Sequence, residues 1–380
     1  MKKKNILKTM AFVSAVALTA GVPLSVQKST FSAMPLTAYA DEAYTQGKEG
    51  QLSYLKYSDH IEIYGCDSSA TSVEIPSTIS GLPVTVIGMY AFQCTKLKSI
   101  KIPDSVKEIG HWAFSMCSDL TSVTIPDSVE KIGIRAFEMC SSLSTVNFPD
   151  RTIDFNSNIF ESTPWLTEQR KKDTFVVVNG ALLDAQTCEG KVVIPSDITS
   201  VASSAFARNT KVTSIVFPSS IKKISDNVCF YCENLTSVEI KGAELIDSMA
   251  FCGCTKLTDL KISGKLKTID DYAFSDATSN ATITFYGSKD KWDKVEKPTN
   301  DKFLQNARMV YDTSYVEPED IAGDVNGDGT FNVSDLVLFQ KWLLAVPNTS
   351  LKNWKAANFV NDNVLDVYDL CLMRKALINK

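Results

Sequence analysis

Histidine is almost missing from this chain: its 380 residues contain two, His60 and His111. A Ser-His-Asp or Cys-His catalytic unit needs a histidine held in place by a third group. His111 sits in Gly110-His111-Trp112-Ala113-Phe114, where equivalent segments carry Met89 or Ile134, and His60 precedes the strand-like Ile61-Glu62-Ile63. The sequence identifies a partner for neither. No Cys-x-x-Cys pairs with histidine at zinc spacing, since Cys229 and Cys232 stand alone. A net charge of −5 leaves no strongly basic surface for nucleic acid. Beyond residue 24, no apolar run approaches the roughly 20 residues of a membrane helix. Carboxylate pairs such as Asp270-Asp271 occur, but nothing sets two across a cleft, as glycoside hydrolysis requires. These absences argue for a non-catalytic chain.

Its length suggests two or three domains. The first forty residues differ from the rest. Lys2, Lys3, Lys4 and Lys8 make a basic start, Met10 to Leu24 is mostly apolar and small, and Ala38-Tyr39-Ala40 has the form of a small-residue cleavage site. We read residues 1–40 as a signal peptide, with an earlier cut after Ala20 as the alternative, and expect an exported, extracellular protein with no membrane span.

From about Leu52 to Phe285 the chain repeats itself. Ala91-Phe92, Ala113-Phe114, Ala136-Phe137, Ala205-Phe206, Ala250-Phe251 and Ala273-Phe274 recur, and Phe160 and Phe230 are read in the same slot without the alanine. Pro76, Pro103, Pro126, Pro149, Pro195 and Pro218 keep the same beat, each ending a short apolar strand because proline has no N–H to donate. A unit of about twenty-three residues cannot bury its own apolar side, whereas stacked copies can. The unit A-F-x-x-C-x-x-L-x-x-V-x-I-P, clear in Val129 to Leu143, resembles the BspA-like leucine-rich repeats common on secreted bacterial proteins. The resemblance implies an α/β repeat solenoid, with one short strand per turn, over residues 41–312.

Two segments leave the beat. In 164–184, Asn179-Gly180 separates two apolar runs, which predicts a β-hairpin inserted in the stack. In 284–312, Ser288 can cap a helix holding Trp292 and Val295, and Phe303-Leu304 opens another, which reads as a terminal cap. Cys94, Cys117, Cys140, Cys232 and Cys254 each precede a repeat leucine by three residues, so they read as a reduced core ladder rather than disulfides. Cys66 and Cys188 fit that phase loosely, and Cys229, Cys252 and Cys371 do not fit it. Ser99 and Lys101, Ser122 and Thr124, Thr145 and Asn147, Ser214 and Val216, Ser237 and Glu239, and Asp259 and Lys261 should line the concave face. Without aromatics, that face suits a protein or peptide better than a sugar.

The C-terminal sixty residues carry different chemistry, after a polar linker at 313–320. Asp324 to Asp335 reads D-V-N-G-D-G-T-F-N-V-S-D. Hard cations take six to eight oxygens, which a twelve-residue loop supplies from positions 1, 3, 5, 7, 9 and 12. Here those are Asp324, Asn326, Asp328, the Thr330 carbonyl, Asn332 and Asp335, with Gly329 at the turn. Aspartate replaces the usual glutamate at position 12. A second, degenerate loop follows 34 residues on: Asn358, Asp362, the Val364 carbonyl, Asp366 and Asp369, with Val360 offering no side-chain oxygen at position 3. Apolar residues after each loop follow helical spacing, Leu336, Phe339 and Leu343, then Leu370, Met373 and Leu377. Two calcium sites are expected, the second weaker.

This duplicated loop-helix pattern over 321–380 resembles a type I dockerin. The resemblance implies calcium-dependent binding to a cohesin module on a scaffoldin, and hence a place in a cellulosome and in polysaccharide catabolism. It also implies partner contacts from Val333, Ser334, Lys341, Val367, Tyr368, Arg374 and Lys375. Ser334 and Tyr368 differ at one equivalent position, so the two faces are not interchangeable. One rival reading is a surface adhesin whose solenoid binds the ligand. Another is a polysaccharide-related hydrolase with a site outside the repeats.

Overall fold

The computed structural model describes residues 43–278, 280–315, 321–327, 330–347, 349–351, 353–360 and 364–379. The expected signal peptide and residues 316–320 of the expected linker lie outside them. From Thr45 the chain winds into a β-solenoid of about 11 turns. An antiparallel meander of Thr45–Glu49, Leu52–Lys56 and Ile61–Cys66 opens it. Ile61–Cys66 then starts a parallel ladder through Leu82–Ile87, Glu108–Ile109, Lys131–Ile132 and Asp154–Phe155. The second half carries a longer parallel ladder, Gly190–Val193, Val212–Phe217, Ser237–Ile240, Asp259–Ser263, Thr282–Tyr286 and Arg308–Tyr311. A second ladder, Lys223–Ile224, Leu245–Ile246 and Thr268–Ile269, accompanies it. Each regular turn thus carries two strands, where the sequence reading gave one. The extra strand is two residues long, too short to show any alternation.

The phenylalanines hold the turns together. Phe92, Phe114, Phe137 and Phe160 stack face to face with centroids 4.9, 5.0 and 5.4 Å apart. Phe251, Phe274 and Phe303 repeat the arrangement at 5.4 and 4.6 Å. Phe303 lies on the short helix Lys302–Asn306, so the segment after the last repeat lays its ring on the end of the stack.

The connection around each phenylalanine depends on backbone conformations that the sequence does not advertise. Tyr90, Trp112, Arg135, Asn158, Ser204, Asn227, Met249 and Tyr272 all have positive φ, from 52° to 63°. A second row four residues on, including Cys94, Met116, Met139, Arg208 and Tyr231, does too. For non-glycine residues this conformation costs roughly 1–2 kcal/mol each. The offset is visible in the hydrogen bonds. The Trp112, Phe114 and Met116 amides donate along the stack to Ile134 O, Ala136 O and Glu138 O at 2.9, 2.7 and 2.8 Å. The neighbouring turns repeat this three-bond pattern.

These bonds also correct the slot assignments. The Phe206 amide donates to Val228 O, as the Phe92 amide does to Ala113 O, so Val228 takes the alanine slot and Cys229, not Phe230, the phenylalanine slot. The fully buried Phe217 ring, edge-on to Phe251 at 6.4 Å, takes up the missing bulk. By the same test Ala185 holds the phenylalanine slot of the irregular copy, and Cys188 lies three residues later, in register.

In the first copy, buried Thr95 lies three residues after phenylalanine, while Cys94 is exposed with φ 58°. The expectation that Cys94 belongs to the buried ladder is therefore overturned. That copy is one residue shorter between phenylalanine and leucine, which shifted the count. The ladder cysteines also do more than fill space. Cys117, Cys140 and Cys232 Sγ donate to Phe92 O, Phe114 O and Phe206 O at 3.0, 3.1 and 3.0 Å. Thr95 and Thr163 occupy the same slot and donate to Phe92 O and Phe160 O at 2.8 and 2.6 Å. Cys140→Thr is accordingly expected to change unfolding free energy by less than about 1 kcal/mol, whereas Cys140→Val loses the donor and costs about 0.5–1.5 kcal/mol. Urea denaturation of the two variants distinguishes them.

The segment 164–184 divides the solenoid. Its first half is helical, Pro164–Lys172, capped by the Thr163 side chain and with proline in its first turn. The hairpin follows as Val176–Val178 and Ala181–Asp184, turning on Asn179 and Gly180 at φ 49° and 76°. Ala181–Asp184 pairs in parallel with Ser200–Val201 and so starts the second half. The buried core correspondingly falls into two clusters that part near Ala181 and Leu182. Arg170 fastens the helix across this seam, with Nε 2.8 Å and Nη2 2.6 Å from the Asp184 carboxylate and Nη2 3.0 Å from Glu161.

At the other end of the chain, helices Val333–Leu343 and Val367–Ile378, with the short Trp354–Ala357, close a small separate core. Val325, Phe339, Ala357 and Met373 are its fully buried members, with Leu336, Leu343, Leu370 and Leu377 packed against the cluster.

Candidate metal centre

Two aspartates organise the C-terminal module. Asp335 and Asp369 sit in the first turns of the two long helices and are fully buried. Asp335 Oδ1 accepts from the Asn326 amide at 3.1 Å and Oδ2 from the Asn332 amide at 2.9 Å. Asp369 Oδ1 accepts from the Val360 amide at 2.9 Å and Oδ2 from the Asp366 amide at 3.1 Å. Every member of the second set lies 34 residues after its counterpart, so the repeat seen in sequence is a repeat of geometry. Each helix is closed by a reciprocal cap: Asn332 accepts from the Ser334 amide at 2.8 Å, and Asp366 from the Tyr368 amide at 2.7 Å.

Asp324 is also fully buried, at the head of the first loop. Among the described residues no lysine or arginine pairs with Asp335 or Asp369. Burying a carboxylate without a cation costs several kcal/mol, which two backbone donors only partly return. The donors around the first loop are all oxygens, from carboxylates, carboxamides and a carbonyl. That set suits a hard divalent cation rather than zinc or copper.

The individual sequence-based assignments fare differently. Asp324, Asn326, Thr330, Asn332 and Asp335 are described together with Asn358, Val364, Asp366 and Asp369. Asp328, Gly329 and Asp362 lie outside the described residues. Among the described residues alone, no three His, Cys, Asp or Glu side chains form a metal-holding group. The Asn332 carboxamide oxygen is engaged by both the Ser334 amide and Oγ, each at 2.8 Å, so its first role is the helix cap. Gly327, at position 4, has φ 66°, a turn that the sequence reading did not single out. Val360 and Val364 are exposed, and the former contributes its amide to Asp369.

Val333, Ser334, Lys341, Val367, Tyr368, Arg374 and Lys375 are all exposed, Tyr368 at 75%. The same two helices also expose Val337, Trp342, Leu372 and Ile378, which the sequence reading passed over.

Both histidines have structural partners. His111 Nδ1 accepts from the Ile134 amide at 2.8 Å, and burial and Lys131 lower its pKa. His60 stacks on Tyr57 at 4.5 Å and meets Asp59 at 2.7 Å. A groove of 390 Å³ at the seam, lined in part by Trp165, Lys172, Asp173, Val177 and Asp197, holds no histidine or cysteine.

The BspA type leucine rich repeat region family model matches residues 62–181 and 185–294, with 6 copies, well over half of the chain. The chain belongs to the BspA-type leucine-rich repeat family. The dockerin type I domain matches residues 322–378. The chain therefore joins two interaction modules, a combination that supports a cellulosome-type protein-interaction role. Type I dockerin domains generally bind calcium.

Among solved structures, a leucine rich repeat protein of T. pallidum is 26% identical, over 56% of this chain and 91% of that one, with a TM-score of 0.33. A leucine rich cell surface protein from Faecalibacterium prausnitzii A2-165 is 19% identical, over 69% and 100%, with a TM-score of 0.31. No curated protein matches the chain. Among the described residues no helix is long and apolar enough to cross a membrane.

Proposed function

We propose that this protein is an exported component of a cellulosome. Its C-terminal dockerin binds a cohesin of a scaffoldin when calcium is bound, and its BspA-type solenoid is the cargo. The observation that carries the reading is the duplicated aspartate geometry: Asp335 and Asp369 each tie one loop to the start of one helix through two backbone amides. Bound calcium would supply positive charge against the buried carboxylates. Asp324, Asn326, Asp328, the Thr330 carbonyl, Asn332 and Asp335 would hold one ion. Asn358, Asp362, the Val364 carbonyl, Asp366 and Asp369 would hold a second, more weakly, because Val360 replaces an oxygen donor.

The protein's own part is mechanical. Each aspartate fixes the angle at which its helix leaves the loop. The two helices then present Val333, Ser334 and Lys341 on one side, and Val367, Tyr368, Arg374 and Lys375 on the other. Large apolar side chains open to water beside charged ones are the composition of a docking surface. Ser334 against Tyr368 makes the two presentations unequal, so one helix face is expected to dominate with a given cohesin. The basic, then apolar, first forty residues support export.

Calorimetry of the full chain against a panel of cohesin modules, with calcium and with a chelator, tests the reading. Binding that appears only with calcium is expected. Binding indifferent to the chelator, or to no cohesin at all, rejects it.

A further inference from the structure

The strand positions expected to line the concave face carry cross-turn bonds of their own. Ser99 meets Ser72 at 2.9 Å, Lys101 meets Glu74 at 2.6 Å, Asn147 meets Thr124 at 3.1 Å, and Ser237 meets Asp259 at 3.0 Å. Of the second positive-φ row, Cys94, Met116, Met139, Ser162, Arg208, Tyr231, Gly253 and Asp276, one is aromatic. Tyr231 stands there with φ 55° and is 40% exposed. In the next turn the equivalent position is Gly253, with φ 76°. A Cβ on Gly253 would lie 2.8–3.0 Å from Cγ, Cδ1 and Cδ2 of Tyr231, so the ring lies over the glycine. Phe230 braces it edge-on, with centroids 4.6 Å apart at 66°. The outcome is a supported aromatic face turned to solvent.

The surroundings of that ring are also distinctive. Arg208 lies one turn before it and Asp276 two turns after it, both at the equivalent positive-φ position, and Glu233 follows two residues on in the chain. All three are exposed and close enough to act electrostatically on the Tyr231 hydroxyl. Some charged side chains of adjacent turns pair, as in Lys211 with Glu189, Lys223 with Asp247 and Lys267 with Glu244. Among the described residues, Arg208, Glu233 and Asp276 make no side-chain hydrogen bond or ion pair. One strong donor and two strong acceptors thus flank a flat aromatic face without using each other.

We infer that the ridge around Tyr231 is a binding site for a neutral saccharide chain. The C–H face of a pyranose stacks on an aromatic ring, and its hydroxyls both accept from a guanidinium and donate to carboxylates. Mixed charge around the ring favours a neutral sugar over a charged one. Three solenoid steps separate Arg208 from Asp276, about 14 Å at the spacing of adjacent strands, roughly three sugar units laid along the stack axis. The site is independent of the C-terminal module and of any cohesin.

Calorimetry of the full chain with cellohexaose, xylohexaose and mannohexaose tests this. At least one is expected to bind. Tyr231→Ala is expected to weaken that binding about tenfold or more, and Tyr231→Phe, which keeps the ring, to weaken it far less. Gly253→Ala displaces the ring and should weaken binding without touching a sugar contact, while Lys261→Ala on the strand Asp259–Ser263 should leave it unchanged. Circular dichroism of each variant checks that the fold is intact. Failure of all three hexasaccharides to bind, or equal binding by folded Tyr231→Ala, overturns the inference.

Discussion

Asp335→Asn is expected to remove the calcium response of the first loop while leaving the module able to fold. The substitution keeps one carbonyl-type oxygen for a backbone amide but removes the charge. On the proposed ligand set, calcium affinity at that loop should fall by at least ~100-fold, since a ligating carboxylate matters more than the outer partners whose loss already costs 10–100-fold. Cohesin binding should fall with it. Asp335→Ala should be worse, because the Asn326 and Asn332 amides lose their acceptor, at about 1–3 kcal/mol for each left unsatisfied. Circular dichroism titrated with calcium separates the two effects. Asparagine should give a folded module deaf to calcium, and alanine a module that has also lost helix. Asp369→Asn should have the smaller effect on calcium, because its loop already lacks a side-chain oxygen at Val360. Retention of full calcium affinity by Asp335→Asn would show that the aspartate serves as a helix cap alone.

The second large effect belongs to the solenoid. Phe137 is fully buried between Phe114 and Phe160, at 5.0 and 5.4 Å. Phe137→Ala is expected to cost about 3–5 kcal/mol, because the ring contacts both neighbours and the stack cannot close over the void. In a linear array each turn leans on the next. The loss should therefore concentrate in the first half of the solenoid, where hydrogen exchange would report faster opening around residues 110–160. Tyr272→Ala, on an exposed position, should stay within about 0.5 kcal/mol of wild type. Chemical denaturation followed by tryptophan fluorescence checks both, since Trp112 and Trp165 lie in the affected half.

The repeat was legible because phenylalanine and proline keep a period that side-chain burial enforces. What escaped was written in the backbone. The two-residue strands carry too little pattern to be noticed. The positive-φ rows are spelled by tyrosine, tryptophan, arginine and methionine, residues that announce no such conformation; hydrogen bonds between turns select it. Phenylalanine is the expected resident of the slot, which points to Phe230 in sequence; the Phe206–Val228 bond and the full burial of Cys229 show which residue faces inward. Thr163-Pro164 is a helix-start signal that the stronger Asn179-Gly180 turn signal overshadowed. In the C-terminal module the 34-residue offset named both aspartates. Their backbone partners could not be read, since an amide has no letter in the sequence.

The seam at 164–184 bears on how such a protein changes length. Because Ala181–Asp184 enters with its own hairpin partner, the second block of turns begins on a freshly laid edge rather than on the last rung of the first. Whole turns can then be gained or lost in either block without shifting the phase of the other. The chain behaves as two rulers joined end to end, each free to be cut to its own measure.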